Sequence, residues 1–177
     1  MRAPLLAFLL LAFLLLLTAA CTGIPEGQQV VKPFHLERYL GTWFEIARLE
    51  HGFERDLHRV TATYSLRGDG GVRVINRGQA PDGSWREAEG RAYFVGAQDE
   101  GRLKVSFFGP FYGSYNVLAT DYDLALVSSY NLQYLWILSR SPTPAREKVQ
   151  ALVEQARTLG FDTGALIWVE QNPVPPG

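Results

Sequence analysis

Eight short runs of alternating or aromatic-rich sequence, each cut off by turn chemistry, constrain this chain more than any other feature. They cover roughly residues 42–50, 59–67, 72–79, 84–96, 102–108, 113–121, 124–130 and 134–140. Asp69-Gly70-Gly71, Asp82-Gly83, Asp99-Glu100-Gly101 and Tyr130-Asn131 sit between successive runs, where hairpins need residues that tolerate left-handed backbone. Consecutive antiparallel strands on short turns make a meander, and a flat eight-stranded sheet would leave two edges exposed. Closure removes both. The expected fold is therefore all-β: an eight-stranded up-and-down antiparallel β-barrel, whose interior fits side chains or one small ligand. One helix follows, with Thr143 as its expected cap, Pro144 in its first turn and Gly160 closing it. Ala145, Val149, Leu152, Val153, Ala156 and Leu159 form one apolar stripe, so this C-terminal α-helix packs outside the barrel. A last short strand, 166–169, precedes a Pro-rich tail.

The alternation also assigns faces. Val60, Ala62, Tyr64 and Leu66 alternate with Arg59, Thr61, Thr63 and Ser65, and later strands behave alike. One face is apolar and the other wet, and Ala88, Gly90 and Ala92 on the fourth run leave room inside. Continuing each parity lines a cavity with Tyr64, Leu66, Val74, Asn76, Ala92, Phe94, Val105, Phe107, Tyr115, Val117, Tyr134, Trp136 and Leu138. That is the composition of an apolar-ligand pocket; a solid core filled by the same side chains is the alternative. Glu45 is the awkward residue. With Trp43 inward, a regular strand turns Glu45 and Ala47 inward too, and a buried carboxylate is costly unless paired. Either it bonds to Tyr64, Tyr115 or Asn76, or it anchors a ligand head group, or a bulge turns it outward.

The first twenty residues read as an export signal. Arg2 is a minimal basic start, and Leu5 to Leu17 is too short an apolar run to span a bilayer comfortably. The run ends at Ala19-Ala20-Cys21, which resembles a bacterial lipobox despite Thr18. The single cysteine excludes a disulfide framework, and Cys21 is the expected lipid anchor, held stably by more than one acyl chain. The expected organisation is a lipoprotein signal peptide over 1–20, a lipidated tether over 21–32 and the folded domain over 33–177. A formal net charge of −1 offers no basic face for nucleic acid.

Gly41-Thr42-Trp43, Thr120-Asp121-Tyr122 and Arg140 resemble the three signature regions of lipocalins in order and spacing. The stretches 39–48, 108–113, 134–140, Gly160-Phe161 and Ile167-Trp168-Val169 are similar to those of bacterial outer-membrane lipoprotein lipocalins, relatives of apolipoprotein D. Phe44, where Tyr is common, and the local variant at 122–125 are the departures. The resemblance implies a non-catalytic protein that binds fatty acids or lysophospholipids in the barrel, for storage or transport. It also implies a lipid-anchored place on the outer membrane, facing the periplasm. The chemistry of the signature residues gives them structural roles. Arg140 stacks on Trp43 at the narrow end, Gly41 permits a tight approach, and Asp121 accepts backbone N–H bonds in its turn.

Catalysis lacks its parts. His35, His51 and His58 lie before the first strand or in the loop after it, and no Gly-x-Ser-x-Gly elbow or His-Glu-x-x-His is present. His51 and His58 with Glu50, Glu54 and Asp56 have weak metal spacing, so no metal and no cofactor is expected. Phe53 and Leu57 in the loop 50–58, and the segment 107–112, are candidate surfaces for a homodimer or membrane contact.

Overall fold

The computed structural model describes residues 22–52 and 54–171. Eight strands follow one another: β1 (Gly41–Arg48), β2 (His58–Leu66), β3 (Val72–Gln79), β4 (Trp85–Phe94), β5 (Arg102–Phe108), β6 (Phe111–Thr120), β7 (Leu124–Ser128) and β8 (Leu135–Ser139). A one-turn helix α1 (Leu36–Tyr39) precedes them; helix α2 (Arg146–Thr158) and a two-residue strand β9 (Ile167–Trp168) come after. Each strand pairs antiparallel with its chain neighbours, and β1 pairs with both β2 and β8. The barrel is closed, as the meander predicts. Among the described residues no helix is long and apolar enough to cross a membrane.

Closure is shared between two partners. The first half of β1, Gly41 to Phe44, pairs with β2, and the second half, Phe44 to Arg48, pairs with β8. Where β2 parts from β1, β9 takes over the free edge through Ala47 and Arg48. The Gln171 amide then donates to Glu45 O at 2.7 Å and Val60 O at 2.8 Å, stitching the seam from both sides.

Two apolar layers result. Inside lie Trp43, Tyr64, Val74, Ala92, Val127 and Leu138, among others. Outside, Ile46, Ala47, Leu126 and Ile137 meet Val149, Val153 and Ala156 of α2. Strand β7 is therefore buried on both faces, with Ala125 and Val127 inward and Leu124 and Leu126 under the helix. Helix α2 starts later than expected. Ala145, which is exposed, is the N-cap, no side chain caps it, and Thr143 instead donates its N–H to Ser141 Oγ. Its end is as expected: Gly160 takes φ +91°, while Gly160 N bonds Arg157 O and Phe161 N bonds Ala156 O, a Schellman motif.

Four further expectations are corrected. Leu66 is 60 % exposed beyond the last inward position of β2, and Ala88 faces solvent. Ala47 belongs to the outer layer, because the register slips between Glu45 and Ala47 and flips the parity of β1. The segment expected as a tether runs along the barrel wall from residue 22, with Val31 N bonded to Val117 O and Gly101 N to Val31 O.

Candidate functional site

The narrow end of the barrel is closed by its own sequence. Arg140 lies 4.0 Å from the Trp43 ring centre. Its guanidinium donates to Thr42 O at 2.9 Å, Arg38 O at 2.8 Å and Leu40 O at 2.7 Å. Trp43 Nε1 donates to Tyr39 O at 2.7 Å, so α1 is drawn across the opening. A Cβ at Gly41, whose φ is +93°, would stand 3.3 Å from an Arg140 nitrogen, so glycine suits both the backbone and the approach. In the β6–β7 turn, Asp121 Oδ1 accepts from Asp123 N and Leu124 N, Thr120 Oγ1 accepts from Tyr122 N, and the Tyr122 ring lies under Arg38. All the signature residues therefore gather at one end and none of them lines the cavity.

Above that floor the barrel is hollow. The cavity offers about 100 Å³ to the centre of a water-sized molecule and opens at the end away from Arg140. Of the residues expected to line it, Glu45, Tyr64, Val74, Asn76, Ala92, Val105, Phe107, Tyr115, Trp136 and Leu138 do so. Besides the exposed Leu66, three do not. Val117 is fully buried in the wall, where its carbonyl holds the N-terminal segment; Phe94 packs against Phe34; and Tyr134 stacks on Trp136 before β8 begins. Strand parity missed Phe34 and Leu36, which reach in from before β1, and Glu54, which reaches in from the β1–β2 loop. No periodic signal marks residues outside strands.

Two polar groups sit within this apolar wall. Tyr115 OH lies 2.8 Å from both Tyr39 OH and Tyr64 OH, a hydroxyl chain whose burial raises all three phenols above their ordinary values. Nearer the mouth, the slip in β1 brings Arg48 to the same face as Glu45. Arg48 Nη1 donates to Glu45 Oε1 at 2.7 Å, and Nη2 donates to Glu54 O at 2.8 Å. Glu54 Oε2 lies 3.0 Å from His51 Nε2 and accepts from Trp136 Nε1 at 3.2 Å. Glu45, Arg48, His51 and Glu54 are all buried. Burial, then the charge of Glu54, lifts the Glu45 carboxyl well above the usual range against the pull of Arg48. Glu54 is pushed upward by the same burial but ends lowered, because His51, Trp136 and Arg48 outweigh it. Arg48 is thus held by the Glu45 carboxyl and the Glu54 backbone carbonyl, while the Glu54 carboxyl is held by His51 and Trp136. Glu45 faces inward, and its partner is Arg48 rather than Tyr64, Tyr115 or Asn76.

Among the described residues no group of three His, Cys, Asp or Glu is placed to hold a metal. Cys21 lies outside the described residues.

A family model for the lipocalin-like domain matches residues 34–171. The outer membrane lipoprotein Blc of Escherichia coli K12 is 54 % identical over 171 residues, covering 95 % of this chain and 96 % of that protein. Its namesake from Vibrio cholerae is 51 % identical over 93 % and 98 % of the two chains. Rat apolipoprotein D is 34 % identical over 93 % and 98 %. Among solved structures, insecticyanin of the tobacco hornworm Manduca sexta superposes with a TM-score of 0.67 at 24 % identity, covering 83 % of this chain and 86 % of that one. Lobster apocrustacyanin A1 gives 0.64 at 23 %, covering 85 % and 94 %. At that identity they speak for the fold alone. The family match over the whole barrel, with relatives well above 30 % identity along nearly the full length, means that this chain belongs to the lipocalin family.

Proposed function

We propose that this protein is a non-catalytic lipid carrier that takes one fatty acid or lysophospholipid into its barrel, for storage or transport. The observation that carries this reading is the hollow interior, walled by Val74, Ala92, Val105 and Phe107 and open at one end. An acyl chain laid along that wall gains about 0.8 kcal/mol per buried methylene, enough to hold an amphiphile without any covalent step. The polar head stays toward the mouth, where the strands end. Lipocalins generally bind rather than catalyse, and the buried acid–base cluster fits that role: Glu45 and Glu54 are spent on Arg48, His51 and Trp136, with no nucleophile beside them. The names of the bacterial relatives support an outer-membrane address, and Cys21 is the residue that would carry the acyl anchor, facing the periplasm.

Organic extraction of the purified protein followed by mass spectrometry tests the reading, together with fatty-acid titration of tryptophan fluorescence. Trp136 borders the cavity, so a bound chain changes its emission, and Trp136→Phe abolishes most of the response. An extract free of lipid and a flat titration would defeat the carrier; hydrolysis of a lysophospholipid in the same assay would replace it with an enzyme.

A further inference from the structure

The N-terminal segment is fastened to the barrel almost to its first described residue. Ser114 Oγ donates to Gly23 O at 2.7 Å, Asn116 Nδ2 to the same oxygen at 3.0 Å, and Arg102 Nη2 to Thr22 O at 3.2 Å. All three donors stand on β5 and β6, and Asn116 also reaches Ser129 O, at the start of the β7–β8 loop beside the mouth. The chain from Thr22 onward is therefore held to the barrel wall rather than free as a tether.

The same two strands carry a second feature. Phe108 and Phe111, 81 % and 79 % exposed, flank the Gly109-Pro110 tip of the β5–β6 hairpin. Phe111 stands three residues from Ser114 on β6, about 10 Å along the strand, and Phe108 on β5 pairs opposite Phe111. Cations accompany them. The Arg91 guanidinium sits beside Gly109, and Lys104 Nζ lies 5.0 Å from the Tyr112 ring centre on the outer face. Apolar rings at a tip, an aromatic hydroxyl and cations just behind it suit a bilayer surface: acyl boundary first, phosphate layer next.

We propose that the anchored protein rests on its bilayer through the β5–β6 hairpin. Phe108 and Phe111 enter the acyl boundary, Arg91 and Lys104 meet headgroup phosphates, and the mouth of the cup opens onto the membrane. The inference rests on Cys21 being the anchor but not on what the cavity holds. The closed end faces away, and with it Leu66, which is also exposed and so serves as an internal control.

The test uses the full lipidated chain in vesicles of phosphatidylethanolamine and phosphatidylglycerol containing brominated lipid. Phe111→Trp and Leu66→Trp are compared, each read against the parent's four tryptophans. The expected result is loss of the added emission in Phe111→Trp and none in Leu66→Trp. Equal loss in both, or loss in neither, overturns the orientation while leaving the anchor standing. Protein that does not co-sediment with vesicles overturns the anchor and the orientation together. If Phe108→Ser/Phe111→Ser dissociates a dimer and Phe111→Trp escapes the quencher, the tip belongs to a second copy and the proposal fails.

Discussion

Glu45 and Arg48 show how much a single backbone irregularity decides. Without the slip in β1 the carboxylate would face the cavity alone and Arg48 would point out toward the helix. With it, Arg48 reaches the Glu45 carboxyl beside the buried Glu54. The pH dependence follows from the directions of the two shifts. Glu45 binds its proton more tightly folded than unfolded, so stability falls as pH rises from the ordinary carboxylate range toward its raised value. Glu54 behaves oppositely, its contribution being lost as pH falls through its lowered value. Glu45→Gln keeps the neutral form at every pH, so its melting temperature gains on the parent as pH rises above the ordinary carboxylate range. An identical pH profile in both proteins would refute a raised Glu45 carboxyl. Arg48→Ala leaves the buried Glu45 carboxyl and Glu54 O without their donor and should cost about 3–5 kcal/mol in urea unfolding. Little of this was legible in sequence. The alternation gave Glu45 an inward face, but nothing around Ile46 marks a bulge, and a partner three residues on is off-register for a regular strand.

At the scale of elements, strands with one wet face were the easiest to read. On β2 and β3 the period of two and the Asp-Gly turns agree, and their boundaries move by no more than a residue. Helix α2 was visible from its stripe and its closing glycine, whereas its start was not: Thr143 has the right chemistry for a cap but stands two residues too early. The N-terminal segment misled because its Gly, Pro and Gln suit a free linker, while the bonds that fix it come from Ser114 and Asn116, far away in the chain. The seam between β1 and β2 is another product of distant sequence. Gln171→Ala removes two hydrogen bonds, worth about 1–2 kcal/mol together, and local opening should rise roughly 5- to 30-fold. Amide exchange at Arg59 and Val169, whose N–H groups bond Glu170 O and Ile46 O, reads that opening. Unchanged protection there would mean that β9 alone holds the seam.

For the whole molecule, the two ends of the barrel divide the work. The closed end is a clasp in which one guanidinium ties α1 and β1 to the end of β8, and Arg140→Ala leaves three carbonyls without that donor. We expect a loss of at least about 3 kcal/mol of stability and a lower melting temperature, with lipid affinity kept at temperatures where the variant remains folded. A large loss of affinity there would mean that the clasp shapes the cavity. The other end holds the mouth, the acid–base cluster and the exposed hairpin tip. The closed barrel and the signature end were legible because both rest on local patterns. The polar contents of the cavity were not, since Glu54 comes from a loop and Arg48 from a bulge.

The seam also bears on when the cup can exist. Strand β1 leads the chain, and although its first half finds β2 at once, one edge waits for Leu138, roughly 90 residues downstream, and the rest of the other for Trp168. A chain threaded across a membrane from its N-terminus therefore delivers an incomplete sheet until residue 171 has passed. During that interval Trp43, Ala47 and the apolar faces of β2 to β7 have only half their neighbours. Closure of the barrel therefore comes last, after the local hairpins of β2 to β7 have their partners in the chain. Whatever holds the half-made sheet apart from its neighbours in the periplasm must do so until the last strand arrives.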